Sequence, residues 1–103
     1  MAYLRFLAEK ADPKEYWFEF RRKHRKAPEY KHYGSEKLRE DVWRDMIARK
    51  KTSREKREMD LLSWMKGIKG NVDELMEKVR MDVRYWVIDA DRDSIVRDAL
   101  RRR

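Results

Sequence analysis

The sequence predicts an all-α protein, folded as a compact bundle of four to five helices. Apolar residues recur at steps of three and four along most of the chain, which places them on one face of a helix. Only three glycines and two prolines punctuate 103 residues, too little turn chemistry for a sheet protein. That length suits a single helical domain over residues 1–103, with a modest core.

The first helix is expected over Ala2 to Lys10, with Tyr3, Leu4, Phe6 and Leu7 as its apolar residues. Asp12 and Pro13 then give a start signal, because Asp can cap a helix and Pro fits its first position. The second helix is expected to run to about Lys26, before Pro28. Tyr16, Trp17 and Phe20 form its stripe, and Phe18 points elsewhere. Glu29 to Gly34 reads as a loop. Ser35 can cap a third helix carried by Leu38, Val42, Trp43, Met46 and Ile47. From Ala48 to Glu58 no large apolar residue occurs, so the stretch reads as solvated. Thr52 and Glu55 form a capping box that can start a new helix, the alternative being one long helix from Ser35 to Lys66. Met59, Leu61, Leu62, Trp64, Met65 and Ile68 follow, and Gly70 with Asn71 ends that helix and starts another. Val72, Met76, Val79, Val83, Trp86 and Ala90 then alternate steps of four and three, the clearest amphipathic pattern in the chain. After a polar break from Asp89 to Asp93, a last helix carries Ile95, Val96, Ala99 and Leu100.

Charge narrows the function. Lysine and arginine number 28 against 20 acidic residues, for a net charge of +8. Such a balance favours polyanionic partners, DNA or RNA. The heavy Lys, Arg and Glu load without cysteine resembles the composition of hyperthermophile proteins. The absence of cysteine removes disulfides, thiolate nucleophiles and thiolate metal sites, and fits an intracellular, cytoplasmic protein. No run of about 18 apolar residues exists, so no membrane span is expected. Met1 to Ala11 carries charges and no long apolar stretch, so no secretory signal is expected either.

The densest basic run is Arg21, Arg22, Lys23, Arg25 and Lys26, followed by Lys31, with His24, Tyr30, His32 and Tyr33 interleaved. Cations neutralise phosphates, and rings can stack on bases. A helix dipole favours cations at its C-terminal end, and Glu19 can pair with Lys23, but five cations in six residues exceed what the dipole needs. A second group, Arg49, Lys50, Lys51, Arg54, Lys56 and Arg57, is diluted by Glu55 and Glu58 and reads as a solvated face or linker. Arg101, Arg102 and Arg103 can grip phosphate or form a solvated end.

The stretch from Asp60 to Ala90 carries paired leucines, Leu61 and Leu62, then Gly70-Asn71 ahead of an amphipathic segment. In this it resembles the Fis-type helix-turn-helix. The resemblance implies a short helix from Val72 to Val79, a turn at Arg80-Met81 and a recognition helix from Asp82 to Ile88. It further implies that Arg84 and Tyr85 are exposed readers in the DNA major groove, with Arg80 near phosphate. The unbroken stripe from Val72 to Ala90 supports the other reading, one continuous helix packed in a bundle.

Nothing in the chain composes a catalytic set, so an enzyme is not expected, nor a small-molecule substrate, cofactor or metal. His24 shares a stripe with Trp17 and Phe20 and reads as a structural histidine. Asp89, Asp91 and Asp93 match the opening of a calcium loop, but Ser94 and Leu100 stand where Gly and the bidentate Glu are required. Asp91 or Asp93 should instead cap the last helix. Trp17, Phe18, Trp43, Trp64 and Trp86 spread over four expected helices, which points to a homo-oligomer. The expected function is a small basic nucleic-acid-binding protein, either a regulator or a compacting or coating factor such as a viral nucleocapsid subunit. The alternative is a structural or adaptor protein that mediates protein assembly without nucleic acid.

Overall fold

Capping side chains divide the chain more finely than its apolar periodicity does. In the computed structural model, which describes residues 2–102, eight helices replace the expected four to five: α1 (Ala2–Lys10), α2 (Trp17–His24), α3 (Pro28–Lys31), α4 (Glu36–Lys50), α5 (Arg54–Lys66), α6 (Val72–Arg80), α7 (Val83–Trp86) and α8 (Arg92–Arg101). No strand occurs among the described residues. Ser35 and Asn71 cap α4 and α6 as expected, accepting from the amides of Leu38 and Glu74. Ser53, rather than Thr52, caps α5 by accepting from the Lys56 amide, so residues 35–66 form two helices and not one. Asp82 accepts from the Arg84 amide and starts α7, which breaks the stripe that could have run on to Ala90.

Two other boundaries differ from expectation. The Asp12 carboxylate accepts from the Lys14 amide at 2.9 Å and closes a turn, so α2 starts at Trp17. Pro28 holds Ala27 extended and fits the first position of α3, so the expected loop begins as a helical turn. At Asp91 the αL conformation (φ 60°) turns the chain into α8 with no side-chain cap. Asp93 instead accepts from the Tyr85 hydroxyl.

The buried residues form two clusters. One joins α1, α2, α3, α4 and α7 around Tyr3, Leu7, Phe20, Trp43 and Met46. The other joins α5, α6, α7 and α8 around Leu61, Met65, Val79, Ile88 and Val96. The half-buried Trp86 packs against both. The one-turn helix α7 touches α1, α4, α5 and α6 and so occupies the centre of the molecule. Among the described residues no helix is long and apolar enough to cross a membrane.

The last carbonyls of a helix lack intrahelical partners and must be satisfied by other groups. Here cations from neighbouring helices supply the donors. The Lys50 ammonium reaches back from the end of α4 to the end of α1, donating to the carbonyls of Leu7, Ala8 and Ala11 at 3.2, 3.0 and 2.6 Å. Arg39 gathers the chain after α3, donating to the carbonyls of Tyr33, Lys31 and Gly34. Its side chain is 14% exposed and lies over the Tyr30 ring. Beyond α7, Arg57 donates to Val87, Arg54 to Ala90, and Arg92 to Ile88 and Trp86. The second basic group is therefore only partly solvated: Arg49, Lys50 and Arg57 are half-buried because their heads bind backbone or carboxylate oxygens.

Replacing Lys50 with Met keeps the stem and removes three charge-assisted hydrogen bonds, from the carbonyls of Ala8 and Ala11 and from that of Leu7, which keeps the Ala11 amide as a donor. We expect Lys50→Met to lower unfolding stability by about 1–3 kcal/mol, read as a lower urea midpoint at unchanged slope.

Candidate nucleic-acid interface

The basic run of α2 divides into paired and unpaired cations. Arg21 binds Glu36 at 2.6 Å, and Glu36 also accepts from the Tyr30 hydroxyl at 2.7 Å and lies beside Arg39. Lys23 bridges back to Glu15, whose side chain is nearly buried, and this partner raises the lysine pKa. Arg22, Arg25, Lys26 and Lys31 are exposed and form no ion pair among the described residues. Phe18, Arg22 and Arg25 fall at i, i+4 and i+7, so they follow one another along the outer face of α2.

The aromatic residues sort differently from expectation. Tyr30 is buried, and Tyr33 stacks on Tyr3 at 4.6 Å, so neither is presented to a base. His24 packs against Phe6 and Phe20 as a structural histidine, its pKa lowered mainly by burial. The exposed rings are Tyr16 (68%) and Phe18 (64%), nearly parallel at 6.0 Å. Sequence reasoning assigned Tyr16 to the buried stripe. The displacement of Phe18 from that stripe was the available signal. Of the five aromatic residues that pointed to an oligomer, Trp43 is buried, Trp17, Trp64 and Trp86 are half-buried, and Phe18 is exposed. One chain thus covers most of that load.

The residues singled out by the helix-turn-helix resemblance sit elsewhere. A turn does separate α6 from α7 at residues 81–82, but α7 is one turn long and its Val83 and Tyr85 are buried. Tyr85, expected as an exposed reader, is 3% exposed. Burial and the Asp93 hydrogen bond raise its pKa, with Arg80 acting in the opposite direction. Arg84 is half-buried, held on both Asp82 carboxylate oxygens at 3.0 Å and lying over the Trp64 ring. Arg80 is half-buried, and its carbonyl accepts from the Trp86 indole. At the C-terminal end, Arg101 pairs with Asp98 at 3.8 Å, Arg102 is exposed, and Arg103 lies outside the described residues. Arg102 lines a groove with α5 residues Leu62, Met65 and Lys66, so α8 belongs with the second cluster and not with α2.

Among the described residues no three His, Cys, Asp or Glu side chains gather as a metal site. No family model, curated protein or solved structure matches the chain.

Two expectations follow from these contacts. The Tyr30 hydrogen bond, together with Arg21 and Arg39, holds the Glu36 carboxyl below its ordinary value of 4.5 despite opposing desolvation. A depressed folded-state pKa contributes stability that is present above the unfolded value and lost as pH falls through the folded one. Urea midpoints measured from pH 7 to 3 should fall more steeply below pH 4.5 in the native protein than in Glu36→Gln. Arg84→Ala removes the cation over Trp64 and the ion pair with Asp82, and should cost about 1 kcal/mol in thermal unfolding with a shift in tryptophan emission.

Proposed function

We propose that this protein binds nucleic acid through phosphate contacts made by Arg22, Arg25, Lys26 and Lys31, as a coating or compacting factor. The observation that carries the reading is that these four exposed cations cluster within ten residues at and after the end of α2 with no ion pair among the described residues. An unpaired cation held at a surface gains most by meeting a phosphate, because the contact releases counterions from the nucleic acid. The positions of Arg84 and Tyr85 favour a coat over a sequence-reading regulator, since both side chains are engaged inside the molecule. A cytoplasmic location belongs to the same proposal. So does a non-enzymatic role, in which the chain needs no cofactor.

Changing Arg22, Arg25 and Lys26 together to Ala should weaken binding to duplex DNA and reduce the salt slope by about 2–3. Lys66, Lys69 and Lys78 are exposed cations on and between α5 and α6. Changing those three to Ala removes equal charge and should lower affinity far less. Fluorescence anisotropy across a salt series reads both. Equal losses for the two triple variants would reduce the site to net charge. No binding to DNA or RNA at low salt would leave the protein-assembly alternative.

A further inference from the structure

Alongside the outer face of α2 lies a groove that the phosphate contacts do not use. It runs between residues 13–18 and one side of α4, with a volume of about 840 Å³. Trp17, Trp43 and Ile47 give it an apolar floor, and the exposed rings of Tyr16 and Phe18 form one wall. Trp43 carries a buried indole N–H with no acceptor, the only such side-chain atom found among the described residues.

The charge around this groove is positive. Lys14 and Lys51 line it, both exposed and without an ion pair among the described residues. Arg44 also lines it, with its guanidinium on Glu40. Glu15, the acidic residue of the lining, is neutralised by Lys23. Phe18 belongs both to the groove and to the stripe that continues through Arg22 and Arg25. The Phe18 ring therefore leads into unpaired cations along a single helix face, with the Tyr16 ring beside it.

We infer that this groove holds unpaired bases of a single-stranded nucleic acid, which stack on Tyr16 and Phe18 while the flanking phosphates meet Lys14, Lys51, Arg22 and Arg25. The inference rests on the phosphate-binding reading above and adds selectivity to it. Base faces are covered by their neighbours in a duplex and become available to a protein ring in a single strand. A ring wall beside a cation track matches that chemistry without reading sequence. A second copy of the chain fits poorly. A two-fold contact here would bring the unpaired Lys14 and Lys51 of both copies into one interface and so add like charge to it.

The test uses the full chain and a labelled mixed-sequence oligonucleotide in three forms: single-stranded DNA, single-stranded RNA and duplex DNA. Anisotropy at one fixed salt concentration should show at least one single strand binding about tenfold more tightly than the duplex, and the tighter of the two names the sugar. Phe18→Ala and Tyr16→Ala should each weaken single-strand binding about tenfold and leave duplex binding unchanged, while Phe18→Trp restores it. Both side chains are exposed, and far-ultraviolet circular dichroism checks that the variants keep their helices. Equal binding of all three forms, unmoved by Phe18→Ala, would overturn the groove and leave the phosphate contacts standing. A dimer in light scattering that Phe18→Ala returns to monomer, with single-strand affinity unchanged, would overturn it in favour of a self-contact. Binding to none of the three forms would remove the phosphate reading as well.

Discussion

A helix ends in carbonyl groups that face no amide of their own, and every turn of this fold must satisfy that demand. Left-handed glycine is the common solution, but three glycines cannot serve the eight helices of the described residues. At the ends of α1, α3 and α7 the chain adds long cationic side chains, while α2, α4, α5, α6 and α8 close with backbone amides. Lys50 holds the end of α1, Arg39 the chain beyond α3, and Arg54, Arg57 and Arg92 the chain beyond α7. Each joins backbone to side chain across a boundary between elements, so the same contact both caps and docks. The charge reading changes accordingly. Part of the basic excess serves the fold, and only the cations that remain are free to meet a partner.

The position of α7 follows from the same economy. A one-turn helix has little internal hydrogen bonding to hold it, and nucleation of so short a helix is unfavourable. It persists because Val83, Tyr85, Val87 and Ile88 are buried on several sides and because Asp82 in front and three arginines behind satisfy its ends. A segment built in this way has its Val83, Tyr85, Val87 and Ile88 side chains committed to the core. The features that resemble a helix-turn-helix, a Gly-Asn start and a break after an amphipathic helix, arise here from capping at Asn71 and Asp82. They place the second helix inside the protein, where its side chains are already engaged.

Much of the helical pattern could be read from the sequence because it is local. The span of α1 and the caps at Ser35 and Asn71 depend on residues within one turn of each other. The helix count could not be read, since α3 begins at Pro28 inside the expected loop and α7 is cut from a continuous stripe, while other boundaries depend on competition between adjacent polar residues. Asp12 bonds an amide two residues on and delays α2, Ser53 replaces Thr52 as the cap, and Asp82 cuts a stripe whose apolar spacing is unbroken. The role of residues 48–58 was hidden for another reason. Lys50 and Arg57 bind carbonyls 43 and 30 residues away, and no spacing rule reports a contact to backbone at that distance. At the candidate site, the run from Arg21 to Lys26 was visible but its division was not. Glu36 and Glu15 neutralise Arg21 and Lys23 only because α4 and the segment before α2 fold against them.

A side chain that grips a carbonyl is indifferent to which residue supplies it. Leu7, Ala8 and Ala11 can each change identity, within the limits of packing, while the acceptors presented to Lys50 stay the same. An ion pair behaves differently, because loss of one partner can be offset by a change in the other. No exchange of side chains at the end of α1 can restore a donor lost from position 50 by adjusting the acceptor. The constraint this geometry imposes is thus one-sided: a clamping lysine or arginine cannot be replaced without losing donors, whereas a residue it clamps can be replaced without losing an acceptor.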